Sequence, residues 1–347
     1  MPTLYGQSLT RAELMARVGD LSQIGGLRRG RLLDGVSDGV EVIELETGAG
    51  LRFDVLPSRG LDIGRARWYG RPLAWQSAAG FAHPTYFTEG GHDPWVRSFG
   101  GGLLTTCGLL NVGEPSVIDG HAHGLHGRAS STPAFEVSAG GDWHGDEYRM
   151  TVRGKTREAI LYGDKLEKTR TISASLGDSR LMLTDVVENI GSAPAPLMLL
   201  YHINLGWPLI GPHASLKLPS KATRVIQGSA SDWAQMPAPD ANFAPCVVEH
   251  DLERDSDGGS SVAVTSKNVR LTVTFSPSLT RFTQWRCYNS GDYVLGLEPG
   301  NVGVRGRAAE RAAGTLPQLE PGETQSFSLS LELAHVRNSG KSALGFA

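Results

Sequence analysis

From Val40 onward the chain alternates apolar and polar residues in short runs punctuated by glycine and proline, as in Val40-Glu41-Val42-Ile43-Glu44-Leu45-Glu46. A period of two places alternate side chains on one face, so these runs predict half-buried strands. The same grammar recurs over 51–55, 61–68, 147–153, 165–174, 180–189, 195–201, 262–266, 269–275, 293–297 and 324–333. One helix is predicted near the start, where Thr10 and Glu13 form a capping box ahead of LMARV; Gly19 should end it. Many short strands with little helical periodicity predict an all-β fold, a large antiparallel sandwich with a short N-terminal helix.

Two stretches break the pattern. Residues 80–113 are rich in Gly, His, Pro and aromatics and follow no period, while Trp95, Phe99 and Leu103 argue against disorder. A long irregular segment of this kind is expected to serve function. Residues 251–261, DLERDSDGGSS, have the composition of an exposed loop. With no fixed-period repeat and no linker, the chain reads as one domain over 1–347, residues 1–35 forming a helical extension.

Composition narrows the partners. Charged residues make up 20% of the 347 and the formal net charge is -3, so nothing suggests a nucleic-acid or membrane surface. No apolar run approaches the length of a membrane span, and the first thirty residues lack the apolar core of a signal peptide. Cys107, Cys246 and Cys287 are odd in number and far apart, which predicts reduced thiols and a cytoplasmic protein. The expected partner is a small molecule.

The candidate chemistry lies in five places. Residues 120–131, GHAHGLHGRASS, set His121, His123 and His126 beside Arg128 among glycines, a pattern suited to a ligand-binding loop. His121 and His123, two apart, could present a metal with two ligands from one strand face, with His126 or a distant carboxylate as the third. Arg59 follows a Pro-Ser turn, and Trp95 and Arg97 pair an aromatic face with a guanidinium, a combination suited to sugars. His202 and Asn204 share a face at the end of an apolar run. Glu298 closes another such run just before Pro299, where a carboxylate must be exposed, paired or tuned. The glycine run 100–102 matches neither GxGxxG nor a P-loop, so nucleotide binding has little support.

Together these motifs resemble the aldose 1-epimerase (galactose mutarotase-like) superfamily, most closely its DUF4432 branch. The resemblance rests on SRGLDIG at 58–64, WVRSFGGGLLTTCGLLNVG at 95–113, HGLHGR at 123–128, YHINLGWPL at 201–209 and LGLEPGN at 295–301, and it spans roughly residues 40–335. It implies a β-supersandwich whose concave face holds a sugar. It also implies His126 and His202 as the histidine pair and Glu298 as the carboxylate. Arg97, or less directly Arg59, would contact sugar hydroxyls, and Asp232 is a loose match for the family's hydroxyl-binding aspartate. Where ordinary mutarotases read LHGG this chain reads LHGR, so Arg128 could recognise an acidic sugar through paired N–H donors.

The activity so implied is exchange of sugar anomers by ring opening, with Glu298 as base, His202 as acid and His126 holding the ring oxygen or open-chain carbonyl. Two placed proton carriers suffice, so no cofactor is expected. Two alternatives stay open: an aldose–ketose isomerase or other sugar-modifying enzyme, metal-assisted through the three loop histidines, and a carbohydrate-binding protein without turnover.

Overall fold

The computed structural model describes residues 1–229 and 232–336. Two antiparallel sheets dominate it. The larger runs, neighbour to neighbour, through Ser220–Gln227, Cys246–Leu252, Arg281–Tyr288, Tyr293–Gly300, Met198–Gly206, Leu104–Leu109, Asp62–Trp68, Leu51–Leu56, Glu41–Glu46 and Gly26–Arg31. The smaller has eight strands, with Glu147–Ala159, Lys165–Ser175, Arg180–Asn189 and Thr324–His335 side by side. Leu199, Tyr201, Ile203, Leu205, Leu295 and Leu297 of the larger sheet pack with Val152, Ile172, Leu183, Phe327 and Leu329 of the smaller in one buried core. The predicted all-β sandwich is therefore the observed fold.

A buried polar cluster crosses this core. The Arg170 guanidinium donates to both oxygens of Asp185 (2.8 and 2.6 Å) and to Asp62 (3.2 Å) on the facing sheet. Tyr201 donates its hydroxyl proton to Asp185 (2.8 Å), and Asp62 accepts from the Thr106 hydroxyl (2.6 Å). Lys168 donates to the Gly60 carbonyl at 3.1 Å. Arg170 and the two aspartates pair with one another, the condition under which ions tolerate burial, while Lys168 rests on the Gly60 carbonyl.

Several strands outrun their predicted ends, because the sequence alternation fades where both faces are covered. The strand predicted to stop at residue 201 continues as Met198–Gly206, and the one predicted to stop at 297 runs to Gly300. Glu298 thus sits inside a strand and is 2% exposed, instead of marking its end. The N-terminal helix has its capping box, Glu13 N–H to Thr10 Oγ1 and Thr10 N–H to Glu13, yet spans only Arg11–Met15. Within 80–113, expected to be irregular, lie a helix at Asp93–Ser98 and a strand at Leu104–Leu109. All three cysteines are free and buried. Among the described residues no helix is long and apolar enough to cross a membrane.

Candidate active site

Even-numbered residues of Met198–Gly206 face away from the inter-sheet core. Met198 and Leu200 pack there against Trp95, Phe99 and Val302, and His202 and Asn204 follow on the same face by alternation. The register that pairs Leu200 with Gly300 and Ile203 with Leu297 sets His202 across from Glu298. Their side chains meet: His202 Nε2 lies 3.2 Å from Glu298 Oε1. Gly296 leaves the necessary space, since a Cβ there would stand 2.7 Å from Glu298 Oε1 and 3.2 Å from His202 Cε1.

His126 arrives from the loop. Its backbone takes a left-handed φ of 55°, and Gly127 follows at 68°. The conformation is held by His126 N–H to Gly113 O (2.9 Å) and Gly108 N–H to His126 O (2.9 Å). A Cβ at position 127 would come within 2.5 Å of the Gly108 carbonyl, so glycine is required there. The Gly113 N–H also donates to His126 Nδ1 at 3.3 Å. Because an N–H can only donate, Nδ1 carries the lone pair and the neutral ring bears its proton on Nε2. The rings of His126 and His202 are 6.0 Å apart.

These three groups lie in one hollow of about 560 Å³, walled by Trp75, Trp95, Phe99 and Trp285 and edged by Glu114, Gln227 and Asp292. Trp95 stacks on Phe99 at 4.2 Å, and Trp285 stands edge-on to His202 at 5.3 Å. Such enclosure disfavours charge. Burial pushes the Glu298 carboxyl up to about 8. It lowers His126 to about 4, and His202 to about 3 with His126 adding to the effect. Near neutral pH the His202–Glu298 pair therefore holds one proton between them, and the uncharged arrangement is the favoured one.

The other residues singled out from sequence go elsewhere. Arg59 is 4% exposed and donates to the Ala82 and Ser98 carbonyls, bracing the segment that carries Trp95. Arg97 points to solvent and pairs with Asp93 at 3.6 Å. Trp95 and Arg97 are two apart on a helix, hence on opposite sides, so the indole enters the hollow and the guanidinium does not. Arg128 pairs with Glu89 at 3.4 Å, and both line a second hollow of about 230 Å³ with His121, His123 and Glu158. Asn204 is fully buried behind His202, and Asp232 is exposed and absent from the hollow's lining. The loop histidines thus divide between two hollows, and among the described residues no group of three His, Cys, Asp or Glu could hold a metal ion. Trp75, Trp285, Gln227 and Asp292, by contrast, line the hollow without having stood out in the sequence.

The two-sheet antiparallel sandwich is the galactose mutarotase-like fold. The chain belongs to the DUF4432 family, a domain of unknown function, whose model matches residues 37–333. It is similar to a "putative aldose 1-epimerase" of Klebsiella pneumoniae subsp. pneumoniae MGH 78578, at 24% identity over 89% of this chain and 83% of that one, with a TM-score of 0.84. A galactose mutarotase-like protein of Clostridium acetobutylicum matches at 13% identity over 90% and 100%, TM-score 0.61. Galactose 1-epimerase of Lactobacillus acidophilus NCFM matches at 11% over 90% and 99%, TM-score 0.58. No curated protein matches the sequence.

Proposed function

We propose that the chain is a mutarotase that exchanges the anomers of a neutral sugar. The observation that carries this reading is the contact of His202 Nε2 with Glu298 Oε1 at 3.2 Å, at the base of an aromatic hollow that also holds His126. Aromatic faces suit the C–H faces of a pyranose or furanose. When the shared proton sits on His202, Glu298 is a carboxylate able to take the proton from the C1 hydroxyl. His202 then gives its proton to the ring oxygen as the bond from C1 to that oxygen breaks and C1 becomes a carbonyl. Rotation about C1–C2 presents the other carbonyl face, and the reverse transfers close the ring. The Nε2–H of His126 donates to the ring or carbonyl oxygen. Charge is conserved at each step, so the pair begins and ends with one proton.

The sugar is uncharged in this reading. Glu114, Asp292 and Glu298 line the hollow, and among the described lining residues there is no Lys or Arg. With Arg128 turned to the second hollow, the ground for an acidic sugar is gone. The division of His121 and His123 from His126 likewise removes support from the metal-assisted isomerase. A pure binder has no need of a carboxyl buried against an imidazole. The test is exchange NMR or polarimetry of freshly dissolved neutral pentoses, hexoses and deoxysugars, with and without protein. Anomer exchange no faster than in buffer across the panel would refute the proposal.

A further inference from the structure

Asn204 sits two residues beyond His202 on the same strand face, fully buried. Its amide nitrogen donates to the Gly102 carbonyl at 3.0 Å and to the His202 carbonyl at 2.9 Å. Both partners are acceptors only, so the amide cannot be flipped: the nitrogen must stay where it is and Oδ1 must face the other way. That oxygen is buried without a hydrogen-bond partner, and so is Nδ1 of His202. The neighbour across the strand pair is Gly296, which offers no side chain to either. An orphan acceptor and an orphan ring nitrogen therefore share one enclosed face. We propose that Asn204 is a positioning residue, its Oδ1 taking the Nδ1 proton of His202 and so leaving Nε2 as the atom that exchanges a proton with Glu298.

The consequence is directional. A neutral His202 with its proton on Nδ1 presents a lone pair to Glu298, which then donates through its acidic O–H. When that proton crosses to Nε2, the ring becomes an imidazolium that Asn204 stabilises from behind, as the Asn204 side chain does by opposing the fall in the His202 pKa. Without the amide, the neutral ring can carry its proton on Nε2 instead, facing Glu298 with a donor and blocking the transfer. The sequence reading of Asn204 as a sugar contact is replaced by this role behind the imidazole.

The proposal rests on the mutarotase reading for its kinetic consequence but not for its structural one, and the experiments separate the two. ¹⁵N-histidine NMR of the resting wild-type protein, with His202 assigned by its loss in His202→Gln, is expected to give a protonated Nδ1 and an unprotonated Nε2. An Nε2–H tautomer overturns the proposal regardless of any mutant. In Asn204→Ala the preference for Nδ1–H should disappear, and kcat should fall roughly 10–100-fold with KM within about twofold of wild type. In Asn204→Asp, protonated on the oxygen that faces the Gly102 and His202 carbonyls, the other oxygen keeps its place and the Nδ1–H tautomer should persist. A change confined to KM in Asn204→Ala would mark a sugar contact and overturn the assignment. Wild-type protein without mutarotase activity but with the Nδ1–H tautomer would uphold the placement of the proton and refute only the reaction.

Discussion

His202 and Glu298 come from strands nearly a hundred residues apart in sequence, yet the register of those strands leaves their side chains 3.2 Å from each other. At that distance the two groups are within reach of a proton transfer, and burial raises the carboxyl while it lowers the imidazole. Glu298→Gln keeps the volume and fixes the side chain as a neutral amide. Its rate of catalysed anomer exchange should fall by about 10²–10⁴-fold while the circular dichroism spectrum stays that of wild type. Unchanged turnover would remove Glu298 from the mechanism.

The same carboxyl sets a pH signature in stability. Its pKa in the fold stands near 8, against 4.5 for the ordinary group. The protonated form is thus favoured by folding, a contribution complete below pH 4.5 and lost as pH rises through 8. Glu298→Gln should therefore gain in melting temperature relative to wild type as pH rises from 5 to 8. If the two melting curves keep a constant offset over that range, the carboxyl is not held protonated. Turnover should also decline above about pH 8, where the pair has lost its one proton and His202 has none to give.

Acid acts through the imidazoles. Burial lowers His126 and His250 to about 4 and His202 to about 3. Folding favours their neutral forms, so their contribution is intact above pH 6.5 and is lost as pH falls toward 4 and 3. Each group should cost roughly 1.4 kcal/mol per pH unit in that window. Because burial raises Glu298 and Glu158, which gain stability over the same interval, urea unfolding at pH 7 and pH 5 is compared between wild type and His126→Gln; a stability difference between the two proteins that does not change with pH would contradict it.

Gly296 separates the packing of the hollow from its chemistry. In Gly296→Ala the new methyl would press on Glu298 Oε1 and His202 Cε1. Exchange rates should drop by about tenfold or more, because small displacements of reacting groups are costly in rate. An active Gly296→Ala enzyme would mean that the pair tolerates being spread.

Two arginines give opposite expectations. Arg59→Met would leave the Ala82 and Ser98 carbonyls without their donor and should lower stability by about 2–4 kcal/mol. Arg97→Ala breaks only a solvent-exposed pair with Asp93, and should change stability by no more than about 0.5 kcal/mol. Chemical denaturation of both variants decides the matter, and a severe loss in Arg97→Ala would require a role that its position does not suggest.

The sandwich was legible because its half-buried strands alternate cleanly, Arg180–Asn189 and Val269–Phe275 being found end for end. Leu104–Leu109 and Arg281–Tyr288 were not, since strands covered on both faces lose alternation and LTTCGL or RFTQWRCY reads as irregular chain. For the site, the motifs around His126, His202 and Glu298 pointed to positions that the fold brings together. The arginines misled because chemical suitability says nothing of direction, and a helical step of two turns Arg97 away from Trp95. Trp285 and Asp292 belong to no motif, and only strand pairing brings them to the hollow.

The Arg170 cluster has a bearing on how the hollow works. Tyr201 is the residue immediately before His202, and Asp62 holds Thr106 on the strand beside it, so the floor beneath the imidazole is bolted to the opposite sheet. A receptacle anchored in this way is cast before its guest arrives. On the mutarotase reading, a sugar would meet His202 on a floor already set by these bonds, with no rearrangement of that floor needed for the proton transfers.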